Sequence, residues 1–191
     1  MEVQHVEDAG RLERGLFLDR DGVINEEVGY LIRPEDMRLV PGIVSLCRTA
    51  RSLGYRIFVV TNQAGIGRGF HTEAEFHHLM QHMQAELQRD GVVFDAVYYS
   101  PYHPEHGIGE YRQDHQDRKP NPGMMLRAAR EFGTSLADSI LVGDRCTDIA
   151  AANAAGLRKA FLLAGEESGC AGPHEPVKSL AEVERWLVAN G

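Results

Sequence analysis

Cysteine is scarce in this chain: three in 191 residues, Cys47, Cys146 and Cys170. So few thiols, so widely spaced, exclude a disulfide framework and a CxxC metal site, and they point to a reducing compartment. Basic runs are missing too. Twenty Lys and Arg face 28 Asp and Glu, and the net charge of −8 leaves no positive patch of the kind that grips nucleic-acid phosphates. No apolar run approaches the roughly 18 residues of a membrane span. The opening Met-Glu-Val-Gln-His-Val-Glu-Asp carries acids where a signal peptide needs a basic start. No internal repeat or low-complexity tract occurs. These absences lead to the expectation of a soluble, cytoplasmic protein that engages neither nucleic acid nor membrane; it is taken to be a monomer.

A full core is nevertheless within reach. The chain is 43% hydrophobic, and at this length about 70% of the unfolded surface can be buried. Residues 1–14 are polar and aperiodic and read as a loose N-terminal arm; residues 15–191 read as one domain. Leu16-Phe17-Leu18, Arg56 to Val60, Ala96 to Tyr99, Ile140 to Val142 and Lys159 to Leu163 have the continuous apolar character of strands buried on both faces. Helical spacing lies between them. Ile43, Leu46, Cys47, Ala50 and Leu53 recur at three- and four-residue steps, as do Phe76, Leu79, Met80, Met83 and Leu87 after a Thr72/Glu75 capping box. Further helices are predicted near 123–132, 147–155 and 180–189. The alternation predicts an α/β, doubly wound, mostly parallel sheet, in which ligands bind at the carboxyl ends of the strands. Only residues 100–122, with four prolines and three histidines, break it; a loop that long in a small domain is usually functional.

The expected strand ends carry the chemistry. The first is followed by Asp19-Arg20-Asp21-Gly22, two carboxylates able to approach one hard cation such as Mg²⁺. The second ends in Thr61-Asn62-Gln63, hydroxyl and amide donors suited to phosphoryl oxygens. After the long loop comes Arg118-Lys119-Pro120, and the fourth strand ends in Gly143-Asp144-Arg145-Cys146-Thr147-Asp148. Gly65-Ile66-Gly67-Arg68-Gly69 meets neither nucleotide fingerprint, because Phe70 breaks GxGxxG and no GK[ST] follows; it reads as a turn beside the phosphate site. His78 and His82 face away from the apolar stripe of their helix and read as solvated.

In this order, an aspartate pair, a Thr, a Lys and an acidic pair resemble the four motifs of the haloacid dehalogenase (HAD) superfamily. Within it LDRDGVIN, TNQAGIGRG, DRKPNPGM and GDRCTDIAAA look like the D-glycero-D-manno-heptose 1,7-bisphosphate 7-phosphatase family and the related histidinol-phosphatases. The resemblance implies an HAD-like fold and hydrolysis through an aspartyl-phosphate, with Asp19 as nucleophile and Asp21 as general acid and then base. It implies Mg²⁺ held by the Asp19 side chain, the Asp21 carbonyl and Asp144, phosphoryl charge offset by Thr61 and Lys119, and Asp148 supporting the site from behind. Substrate contacts carry over to Glu27, Val28, Gly29, Tyr30, Asn62, Gln63, Ala64, Arg118 and Arg145. The guanidinium of Arg118 would clamp the phosphate that is not cleaved. Intervals of 40 residues from Asp21 to Thr61 and 58 from Thr61 to Lys119 leave no room for a large cap domain, so loop 100–122 is the expected partial cover and specificity element.

One departure stands out. Many members bind zinc in that loop through three Cys and one His, but the matching positions here are Ser100, Tyr102, His115 and Asp117. Structural zinc is expected to be absent. A substitute set of His103, His106, His115 and Asp117 is the alternative. Two further functions are weighed: a histidinol-phosphate or other small phosphomonoester phosphatase, and a receiver-like module that accepts a phosphoryl group. Receivers lack a second aspartate two residues after the first, so Asp21 argues against the latter.

Overall fold

The structure, a computed structural model, describes residues 13–163 and 169–191. Six strands form one parallel sheet in the order β3-β2-β1-β4-β5-β6: β1 (Glu13–Leu18), β2 (Tyr55–Asn62), β3 (Ala96–Ser100), β4 (Thr134–Gly143), β5 (Lys159–Leu163) and β6 (Glu175–Val177). The first five contain the predicted apolar runs. Because side chains alternate across a strand, each run supplies both faces at once. Leu16, Leu18, Ile57 and Val59 join a core with α1 (Ile43–Ser52), α3 (Glu73–Arg89) and α6 (Leu180–Asn190). Their neighbours Phe17, Phe58 and Val60, with Leu141, join the opposite core with α4 (Gly123–Phe132) and α5 (Cys146–Ala155). The capping box of α3 is present: Thr72 Oγ1 accepts from Glu75 N at 3.2 Å, and Thr72 N donates to Glu75 Oε2 at 2.7 Å.

Several expectations need correction. The loose arm was expected to run to residue 14, yet β1 begins at Glu13, where Glu13 and Arg14 pair with Thr134 and Ser135 of β4; the rest of that segment lies outside the described residues. The polar stretch before Ile140 lengthens β4 to ten residues. Its register against β1 shifts between Arg14 and Leu16, where Ser139 Oγ accepts from Gly15 N at 2.7 Å. Strand β6 escaped notice because it has three residues and contains Pro176, which is tolerated only at a sheet edge. A single helical turn, α2 (Ala64–Gly67), follows β2.

The cysteines, which a reducing compartment would keep free, are not all free. Cys146 and Cys170 form a disulfide with a Cα–Cα distance of 4.8 Å. They lie 24 residues apart in sequence. Since β4 and β5 are parallel neighbours, the start of α5 and the segment following β5 emerge at the same sheet end. The pairing removes the basis for inferring a reducing compartment from scattered thiols. Cys47 is free and buried.

Phe58 shows how tightly the second core depends on one strand. It is fully buried, with ring centroids 5.1 Å from Phe17, 5.2 Å from Phe132 and 6.4 Å from Tyr98. Replacing it by alanine leaves a cavity among three rings. Phe58→Ala should lower the free energy of unfolding by about 3–5 kcal/mol, measurable by urea denaturation with an unchanged slope.

Candidate active site

The carboxyl ends of β1 and β2, the end of the long loop at Arg118 and Lys119, and the start of α5 after β4 converge on a cavity of about 510 Å³. Lys119, which lines it, is 2% exposed. The ammonium donates to Val60 O at 2.8 Å and lies 3.0 Å from Asp19 Oδ1 and 2.5 Å from Asp148 Oδ1. Its backbone is fixed by a reciprocal pair with Asn62: Lys119 N donates to Asn62 Oδ1 at 3.0 Å, and Asn62 Nδ2 to Lys119 O at 2.9 Å. Asp148 also accepts from Arg145 N at 3.0 Å and so caps α5. Gly143 is required here, because a Cβ on it would come within 2.3 Å of the Asp148 Cβ.

Asp21 is held differently. Arg20, itself 2% exposed, grips its carboxylate through Nε at 3.1 Å and through Nη2 at 2.7 Å to Oδ1 and 2.6 Å to Oδ2. Asn25 Nδ2 adds a bond at 3.0 Å and Gln63 Nε2 one at 3.1 Å; Gln63 Nε2 also reaches Thr61 Oγ1 at 2.9 Å. The Arg20 clamp was not anticipated, although an arginine between two acids at a buried strand end was a usable signal.

Asp19, Asp144 and Asp148 offer carboxylate oxygens that all lie within 4.8 Å of one another. Asp144 Oδ1 is buried without a hydrogen-bond partner. The turn is packed closely: at Gly22, whose φ is +80°, a Cβ would lie 2.4 Å from Asp144 Oδ2. One lysine cannot balance three acids. Burial, opposed by Lys119 and assisted by Asp148, pushes the Asp19 carboxyl up to about 7. Burial and Asp148 push Asp144 up to about 6. A cluster of hard oxygens short of positive charge, with an orphaned lone pair, fits a divalent cation such as Mg²⁺.

Asp19, Asp21, Glu27, Gly29, Tyr30, Thr61 through Ala64, Arg118, Lys119 and Arg145 all line the cavity or its rim, whereas Val28 is 53% exposed and does not. Arg145 Nη2 is 3.4 Å from Glu27 Oε2. Arg118 is half-buried and donates to Tyr102 O at 2.9 Å. Arg20, Gly65, Arg68, His103 and Thr147 also line the cavity and were not among the expected contacts. Of the residues weighed for zinc, three have other partners. The His115 ring stacks on Tyr102 at 4.0 Å, Asp117 pairs with Arg127 at 2.9 Å, and His103 Nδ1 accepts from the backbone N–H of Glu105 and His106. Among the described residues the strand-end acids are the one group of three or more potential ligands that converges.

This parallel fold, with acids and a threonine at its strand ends and a lysine brought to them by the loop before α4, defines an HAD-like hydrolase, and residues 116–183 match the HAD-hydrolase-like family. The D-glycero-alpha-D-manno-heptose-1,7-bisphosphate 7-phosphatase of Burkholderia mallei is 46% identical over 81% of this chain and 82% of its own length. The D-glycero-beta-D-manno-heptose-1,7-bisphosphate 7-phosphatase of Vibrio cholerae is 42% identical over 78% of this chain and 80% of its own. A crystal structure of D,D-heptose 1,7-bisphosphate phosphatase from B. bronchiseptica, complexed with magnesium and phosphate, aligns with a TM-score of 0.81 at 27% identity. The alignment covers 93% of this chain and 99% of that one. The chain belongs to the D-glycero-D-manno-heptose 1,7-bisphosphate 7-phosphatase family.

The raised acids give a pH prediction. A carboxyl whose folded value exceeds its unfolded 3.8 stabilises the metal-free fold fully below about 4, and that contribution is lost as pH rises toward about 7. A divalent cation needs the ionised forms and releases those protons on binding. Added Mg²⁺ should therefore raise the melting temperature little near about pH 5 and clearly near about pH 8, as read by scanning calorimetry.

Proposed function

We propose that this chain is a Mg²⁺-dependent phosphatase that removes the C7 phosphate of D-glycero-D-manno-heptose 1,7-bisphosphate. The observation that carries the proposal is the convergence of Asp19, Thr61, Lys119 and Asp144 at one set of strand ends, in a chain up to 46% identical to proteins of that name. Asp19 attacks phosphorus, and the bond to the sugar oxygen breaks while the bond to the carboxylate forms. The departing alkoxide takes a proton from Asp21. Water then attacks the aspartyl-phosphate, giving its proton to Asp21 and releasing inorganic phosphate and free Asp19. Thr61 and Lys119 offset charge on the phosphoryl oxygens, a contribution that is strong because the site is buried. Asp19 and Asp144 with the Asp21 carbonyl would hold Mg²⁺, which supplies further charge compensation there. Asp148 acts as a positioning residue, since it fixes Lys119 and caps α5.

Asp21 now accepts bonds from Arg20, Asn25 and Gln63. To trade a proton with the substrate it must release at least one of them, and Gln63, shared with Thr61, is the natural one. A cytoplasmic site of action follows from a sugar-phosphate substrate; among the described residues no helix is long and apolar enough to cross a membrane.

Asp19→Asn should abolish turnover, because an amide cannot form the acyl phosphate. Asp21→Asn should accumulate a covalent phospho-enzyme with a phosphate ester whose leaving group needs no proton, such as p-nitrophenyl phosphate, since it cannot take the proton of the attacking water. Denaturing mass spectrometry after mixing with substrate reads a gain of one phosphoryl group on the second variant and none on the first.

The substrate is tested by steady-state kinetics on both anomers of heptose 1,7-bisphosphate beside histidinol phosphate. A heptose bisphosphate should give a kcat/KM higher by about two orders of magnitude or more, the factor expected when a charged clamp on the second phosphate is engaged. Equal values would overturn the substrate assignment while leaving the phosphatase chemistry intact.

A further inference from the structure

The Gly65–Gly69 segment meets no nucleotide fingerprint, yet the structure gives its arginine a defined post. Arg68 ends α2 and its backbone N–H donates to Ala64 O at 3.0 Å. The turn cannot drift. Gly67 O accepts from Ile108 N at 2.8 Å, and Cβ atoms on Gly67 or Gly65 would collide with the Pro101 carbonyl or the buried His71 ring. The Arg68 side chain is held as firmly. Nη1 donates to Tyr30 OH at 2.8 Å, and the guanidinium carbon lies 4.5 Å from the Phe70 ring centroid. Tyr30 and Phe70 meet edge to face at 4.8 Å. Both rings are about half exposed, at 50% and 49%, so burial alone does not account for them; holding a cation does.

Arg68 lines the same cavity as Asp19, Lys119 and Arg118, and among the described residues no carboxylate lies within ion-pairing distance of it. Arg118 likewise has no carboxylate that close, whereas Arg145 already faces Glu27. His103 lies in the fields of both Arg118 and Arg68, which with burial keep its imidazole below the usual value. Arg68, Arg118 and His103 all line the one cavity, and an anion held there by both guanidiniums would meet two charged forks.

We propose that Arg68, aimed by Tyr30 and Phe70, is a second specificity residue that grips, with Arg118, the phosphate left on the sugar. The proposal rests on the bisphosphate substrate argued above. Its test compares heptose 1,7-bisphosphate with heptose 7-phosphate, which keeps the cleavable group and lacks the other, and it reads the ratio of the two kcat/KM values. Arg68→Ala and Arg68→Gln should each reduce that ratio about 10- to 100-fold, chiefly through KM for the bisphosphate. Tyr30→Phe, which frees the guanidinium but keeps the ring, should reduce it by a smaller factor in the same direction. A wild type that prefers the bisphosphate, with variants that keep the preference or lose equally on both substrates, would overturn the role of Arg68 alone. A wild type indifferent to the second phosphate would overturn the substrate reading and the Arg68 assignment with it.

Discussion

Everything at the functional end of this molecule hangs on one buried ammonium. Lys119 is almost wholly removed from water, and an unpaired charge in that position would cost several kcal/mol. It is compensated by Asp19 after β1, by Asp148 in the first turn of α5 and by the Val60 carbonyl of β2. Three elements distant in sequence are thereby pinned to a common point. The reciprocal amide pair with Asn62 ties the lysine backbone to β2 as well. Such a cluster has little freedom to relax, which is what electrostatic stabilisation of a phosphoryl group demands.

The same cluster is deliberately unbalanced. Asp144 adds a third carboxylate to a centre served by one lysine, and burial raises both Asp19 and Asp144. In a purely structural site this would be a defect. Under the proposed function, a divalent cation held by Asp19 and Asp144 would supply the missing positive charge. The second aspartate of the first motif is kept out of this competition, because Arg20, Asn25 and Gln63 draw Asp21 onto its own donors. Two carboxylates two residues apart are thus given separate environments, the usual route to separate acid–base roles.

Loop 100–122 is held by contacts among its own residues and with α4. These are the Tyr102–His115 stack, the Asp117–Arg127 ion pair and an Asn121 amide shared between Asp114 and the His115 carbonyl. Each contact is modest alone. Together they hold the residues just before Arg118 and Lys119, so the loop still delivers both cations to the cavity.

The sequence by itself determined the alternation of strands and helices, five of the six strands and the four strand-end motifs. Each of these is local: an apolar run long enough to be buried on both faces, a capping box, an acid placed directly after a strand. What only the tertiary structure decided is everything that depends on which strand ends are neighbours. The Cys146–Cys170 bond, the Arg20 clamp on Asp21, the sharing of Lys119 between two acids, and Arg68 held on Tyr30 all join side chains whose separation in space is set by sheet order and turn packing. β6 escaped for the opposite reason, being too short and too proline-marked to carry a periodic signal. Residue type and spacing can state that a carboxylate or a guanidinium stands at a strand end, but its partner, and hence its charge and aim, is fixed only when the parallel sheet brings the other strand ends beside it.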